Sequence, residues 1–70
     1  MQVLVNQKPL HCTSDDSLES VLSIYCQARG VGIEDIAVAQ GDSLIPRSLW
    51  SEYRLSANAS FSVFTAVAGG

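Results

Sequence analysis

Few side chains in this 70-residue sequence can do covalent or acid–base chemistry. The main candidates are one histidine (His11), two cysteines (Cys12 and Cys26) and the adjacent carboxylates Asp15 and Asp16. His11 alternates with the inward residues of its strand and reads as an exposed side chain. Two cysteines without Cys-x-x-Cys spacing, beside one histidine, make a poor zinc site, so no metal ligands are assigned. Both read as ordinary semi-buried side chains. Neighbouring carboxylates at a helix start are usually caps. Gly30 and Gly32 belong to no phosphate-cradling motif. No catalytic set emerges, and no catalytic residue is assigned. What remains is Gly69-Gly70, a stretch without side chains directly after a strand.

Composition narrows the class. Hydrophobic residues make up 47%, which excludes intrinsic disorder. Charged residues make up only 16%, leaving more apolar surface for a partner. The net charge is −3, and Lys8, Arg29, Arg47 and Arg54 are scattered along the chain, an unsuitable pattern for nucleic acid. The opening Met1-Gln2-Val3-Leu4-Val5-Asn6 lacks the basic and apolar regions of a signal peptide. No apolar run approaches a membrane span. The expected location is the reducing cytoplasm, where stable disulfides are rare. The chain is expected to be a monomer when free.

The elements that would carry such a tail follow from periodicity. Residues 2–6 read as a strand, Asn6-Gln7-Lys8 as a turn, and Pro9 to Cys12 as the returning strand. Met1, Val3 and Val5 share one face, which Leu10 and Cys12 can join. Asp16 or Ser17 caps a helix over about 17–29, with Asp16 and Glu19 at capping-box spacing. Its apolar stripe is Leu18, Val21, Leu22, Tyr25 and Ala28, and Gly30 stops it. Short strands follow at Ile36–Ala39 and Ser43–Ile45, separated by a turn at Gln40-Gly41-Asp42. An irregular stretch over 47–56 has an expected 3₁₀ turn near Ser48–Glu52, with Trp50 as a lid on the core and Arg47 on the surface. The last strand is Phe61–Val67. Phe61, Val63, Thr65 and Val67 point one way; Ser62, Phe64 and Ala66 point the other. The fold expected is α+β: a ubiquitin-like β-grasp, a mixed sheet of four to five strands with one helix packed across it. It forms a single domain over 1–70, with a flexible tail over 68–70. The expected core is Met1, Val3, Val5, Leu18, Val21, Leu22, Ile36, Val38, Phe61 and Val63.

Three segments carry a family resemblance. Met1 to Val5 resembles the first strand of ubiquitin-like proteins. Ile45-Pro46-Arg47-Ser48-Leu49-Trp50 resembles the Val/Ile-Pro-Arg-x-x-Trp segment of the thiazole (thiamine biosynthesis) sulfur carriers. Phe64-Thr65-Ala66-Val67-Ala68-Gly69-Gly70 resembles their Phe-x-x-Val/Ile-Ala-Gly-Gly ending. The family usually has Gly-Asp before the last strand. Here Asn58-Ala59-Ser60 stands there, and Asn58 supplies the turn because asparagine tolerates positive φ.

The resemblance implies a chemistry for the tail. A C-terminal carboxylate, with a pKa of about 3.5, is ionised at neutral pH and is a poor electrophile. In the family a partner adenylyltransferase uses ATP to convert the terminal glycine, here Gly70, to an acyl-adenylate. A sulfur donor, such as a cysteine desulfurase, then supplies the sulfur of a thiocarboxylate, which thiazole synthase consumes. The carrier binds no cofactor of its own. Gly69 and Ala68 form the tail, and residues 67–70, extended, reach about 13 Å. Phe64 and Val67 are the expected partner contacts. The same fold and tail also suit a molybdopterin-type sulfur carrier or a ubiquitin-like protein modifier. A plain interaction domain would tolerate loss of both glycines.

Overall fold

The computed structural model describes residues 1–65 of the chain. The end of the expected last strand, Ala66 and Val67, and the tail Ala68, Gly69 and Gly70 lie outside the described residues. Strand β1 (Gln2–Val5) and strand β2 (Lys8–His11) form a hairpin, followed by helix α1 (Leu18–Arg29). A 3₁₀ turn at Ile33–Asp35 leads into β3 (Ile36–Gln40) and β4 (Ser43–Leu44). A second 3₁₀ turn, Arg47–Leu49, precedes β5 (Ser60–Thr65). The five strands form one mixed sheet in the order β2-β1-β5-β3-β4. Strand β5 is central, parallel to β1 and antiparallel to β3.

The hairpin turns in two residues. Asn6 and Gln7 have φ of 51° and 71°, the pair of positive angles that suits the twist of a tight hairpin. Lys8 therefore already belongs to β2, paired with Val5. Pro9 sits opposite Leu4 on an edge strand, where a missing N–H is tolerated.

Ser17, not Asp16, caps the helix: its hydroxyl accepts from the Ser20 N–H at 3.2 Å. Asp16 instead accepts from the Thr13 N–H at 2.8 Å and orders the preceding turn. The N–H groups of Leu18 and Glu19 donate to the carbonyls of Tyr53 and Trp50. The first turn thus has partners for the donors a helix start leaves open. At the other end Gly30 has φ of 69°. Its N–H donates to the Gln27 carbonyl, and the Val31 N–H donates to that of Cys26. This double closure needs a left-handed residue after the last turn.

The core gathers Val3, Val5, Leu18, Val21, Leu22, Ile36, Val38 and Phe61, as expected, and adds Cys12, Cys26, Ile45, Trp50 and Leu55. Two expected members fall outside it. Met1 is 41% exposed: it precedes β1, and its ammonium donates to the Cys12 carbonyl at the sheet's end. Val63 is only half-buried, because β5 continues past the last residue paired with β1. The helix stripe also differs. Cys26 is buried, Tyr25 is half-buried and Ala28 is exposed. The row 18–22–26 lies over the core, whereas Ala28 sits on the flank of the last turn.

Arg47 is more than a surface residue. Its guanidinium donates to the carbonyls of Ile33 (2.9 Å), Glu34 (3.2 Å) and Ile36 (2.9 Å). It also stacks 4.4 Å from the Trp50 ring centroid. Trp50 is 2% exposed and donates its indole N–H to the Ile45 carbonyl at 3.0 Å, which makes it a wall of the core. The Ile45–Trp50 segment thereby locks the loop before β3 onto the core.

Candidate functional site

The residues that could do chemistry stand apart. His11 is exposed on β2, while Cys12 and Cys26 are buried, unbridged thiols. Burial pushes the Cys26 thiol above its ordinary range; Glu34 adds to the effect and Arg47 opposes it. A thiol held protonated is a poor nucleophile. Among the described residues, no group of three or more His, Cys, Asp or Glu side chains could hold a metal. Asp15 and Asp16 lie in an open polar depression with Ser14, Ser51, Glu52 and Arg54, where Asp16 is engaged with Thr13. No helix among the described residues is long and apolar enough to cross a membrane.

The distinctive surface belongs to β5. Phe61 is buried, while Ser60, Ser62 and Phe64 face outward, with Phe64 47% exposed. Register fixes its neighbours: Phe64 lies opposite Ala37, Ser62 opposite Ala39, and Ala39 opposite Leu44. Phe64 and the exposed Leu44 therefore stand beside alanine and serine on the neighbouring strands, with Arg29 bordering the groove at Phe64 and Arg47 the depression at Ala37 and Leu44. Outward parity made Phe64 legible in the sequence. Leu44 was missed because a two-residue strand carries almost no period to read. Val67, Ala68, Gly69 and Gly70, the other expected contact and tail residues, lie outside the described residues.

Among the described residues, a shallow groove of about 340 Å³ beside β5 is lined by Tyr25, Arg29, Val31, Ile36, Val63, Phe64 and Thr65. Here the sheet outruns the helix. The Arg29 guanidinium lies 5.1 Å from the Tyr25 ring centroid. The Tyr25 hydroxyl accepts from the Asn6 carboxamide at 2.8 Å. Asn6 in turn bonds both the N–H and the carbonyl of Val63.

At the start of β5, Asn58 has φ of 65°. Its N–H donates to the Gln2 carbonyl at 2.7 Å, and its side-chain oxygen accepts from Gln2. Asparagine thus makes the turn that leads into β5.

A hairpin, one helix across a mixed sheet, and a last strand inserted beside the first define the ubiquitin-like β-grasp fold. The comparisons with solved structures agree. The chain is similar to the thiamine biosynthesis protein ThiS of Geobacter metallireducens, with a TM-score of 0.74, 18% identity and full coverage of both chains. It is also similar to a computationally designed protein based on human erythrocytic ubiquitin, with a TM-score of 0.69 and 16% identity over 100% of this chain and 94% of that one. No protein-family model matches the chain, and no curated protein matches it in sequence.

Proposed function

We propose that this protein is a sulfur carrier of thiamine biosynthesis, acting as a co-substrate rather than a catalyst. The carrying observation is a joint one. The central strand of a fold shared end to end with a thiamine biosynthesis protein leads toward Ala68-Gly69-Gly70. The Pro46-Arg47-x-x-Trp50 segment supports the thiazole branch over a molybdopterin-type carrier. Its arginine and tryptophan form one packed unit here.

In this reading a Gly70 carboxylate oxygen attacks the α-phosphorus of ATP bound to a partner adenylyltransferase. An acyl-adenylate forms and pyrophosphate leaves. The terminal sulfur of a donor persulfide adds to the acyl carbon and expels AMP, giving an acyl disulfide. A thiol reductant then cleaves its S–S bond, ending as a disulfide with the donor's thiol and releasing the sulfur on Gly70 as a thiocarboxylate. The thiocarboxylate passes its sulfur to the carbonyl substrate held by thiazole synthase in exchange for an oxygen, supplied by that carbonyl or by water, and the carboxylate returns. Gly69 and Gly70 lack a Cβ and can lie in a narrow channel. The face around the exposed Phe64 docks the enzyme, and the reaction takes place in the cytoplasm.

Intact mass spectrometry after incubation with ATP, a sulfur source and the cognate adenylyltransferase tests the reading. The expected product carries one sulfur in place of one oxygen, localised to Gly70. Larger covalent adducts through Gly70 would mark a protein modifier instead.

A further inference from the structure

Strand β1 stops at Val5 because the chain turns away at Asn6, yet β5 runs on alongside the gap. The parallel ladder reaches this point through Leu4 N–H to the Ala59 carbonyl (2.8 Å) and Asn6 N–H to the Phe61 carbonyl (2.9 Å). A further rung would draw on the carbonyl of residue 6 and the N–H of residue 8. Lys8, however, belongs to β2. The Asn6 side chain stands in for both. Its Oδ1 accepts from the Val63 N–H at 2.8 Å, and its Nδ2 donates to the Val63 carbonyl at 3.0 Å. Because the Val63 N–H can only donate, the orientation of the carboxamide is settled. The Nδ2 also donates to the Tyr25 hydroxyl at 2.8 Å, which ties the clamp to α1.

We propose that Asn6 is a positioning residue for the reaction at Gly70. Its carboxamide, steadied by Tyr25, completes the β1–β5 ladder at Val63 and so holds the last described residues of β5, Val63 to Thr65, against β1 and α1. The inference rests on the sulfur-carrier reading. Asparagine suits both demands of the site, a positive φ of 51° and a planar group with one acceptor and two N–H donors.

The test is ATP–pyrophosphate exchange by the cognate adenylyltransferase, measured over a range of carrier concentrations. Amide hydrogen exchange of the free carrier is followed in parallel. Asn6→Gly keeps the backbone angle accessible and removes the clamp. It should lower kcat by roughly tenfold or more and leave KM within about twofold, because the Phe64 face is untouched. The Val63 amide should lose protection while Val21 and Val38 keep theirs. Tyr25→Phe removes only the supporting hydroxyl and should shift kcat in the same direction by less; it decides the matter if Asn6→Gly does not fold. Wild-type kcat in the folded variants would overturn the inference while leaving the carrier reading intact. No exchange by the wild-type chain would overturn both.

Discussion

Arg47 directs its guanidinium at backbone carbonyls, with three acceptors on the 3₁₀ turn 33–35 and β3 and an aromatic face beneath. A planar fork can meet several acceptors while stacking; an ammonium cannot. Arg47→Lys keeps the charge and loses that geometry. It should cost about 1.5–3 kcal/mol, the range for hydrogen bonds to charged groups. Urea denaturation followed by Trp50 fluorescence reads the loss directly. A change under about 0.5 kcal/mol, as at a plain surface site, would contradict the locking role. The Pro-Arg-x-x-Trp pattern was visible in the sequence, but Arg47's role was not. Its acceptors lie on backbone up to 14 residues away, and backbone carbonyls leave no mark in a sequence.

At the scale of elements, α1 is held by the core through Leu18, Val21, Leu22 and Cys26. Leu22 is fully buried, so Leu22→Ala should cost about 2–5 kcal/mol, measured from the urea midpoint at unchanged m-value. A loss below 1 kcal/mol would show that the site collapses freely or is not core. The helix was legible because its apolar spacing, its cap and Gly30 all agree. The hairpin and β3 were legible from two-residue alternation. The 3₁₀ turn at Ile33–Asp35 was not, since three residues fall short of one helical period of about 3.6 residues. The capping-box spacing of Asp16 and Glu19 pointed one residue too early. Both Asp16 and Ser17 offer a suitable oxygen, and the Thr13 N–H takes that of Asp16.

At the scale of the molecule, the sheet has one face under the helix, and among the described residues nothing packs over the other. That second face carries the exposed Phe64 and Leu44 beside alanine and serine. Phe64→Ala should leave the melting temperature within about 4 °C, as for a surface change of under about 0.5 kcal/mol. It should weaken binding to the activating enzyme by roughly tenfold, the loss of one aromatic anchor. Calorimetric titration and thermal melting separate the two effects. A large melting shift with normal affinity would reassign Phe64 to the fold. The fold was legible from sequence because strand and helix periods have only one economical packing. The candidate site was legible in part. Phe64 follows from parity, whereas the Asn6–Tyr25–Val63 clamp joins residues up to 57 positions apart.

The central claim concerns Gly70 itself, and ATP–pyrophosphate exchange with two altered ends tests it most directly. Deleting Gly70 moves the terminal carboxylate back by about 3.5 Å, a misplacement that can cost 100-fold or more in rate. Appending one residue turns the Gly70 carboxyl into an amide that ATP cannot adenylate. Both variants should give the wild-type circular dichroism spectrum and melting temperature, and both should lose exchange by at least about 100-fold. Wild-type exchange from either folded variant would contradict the account.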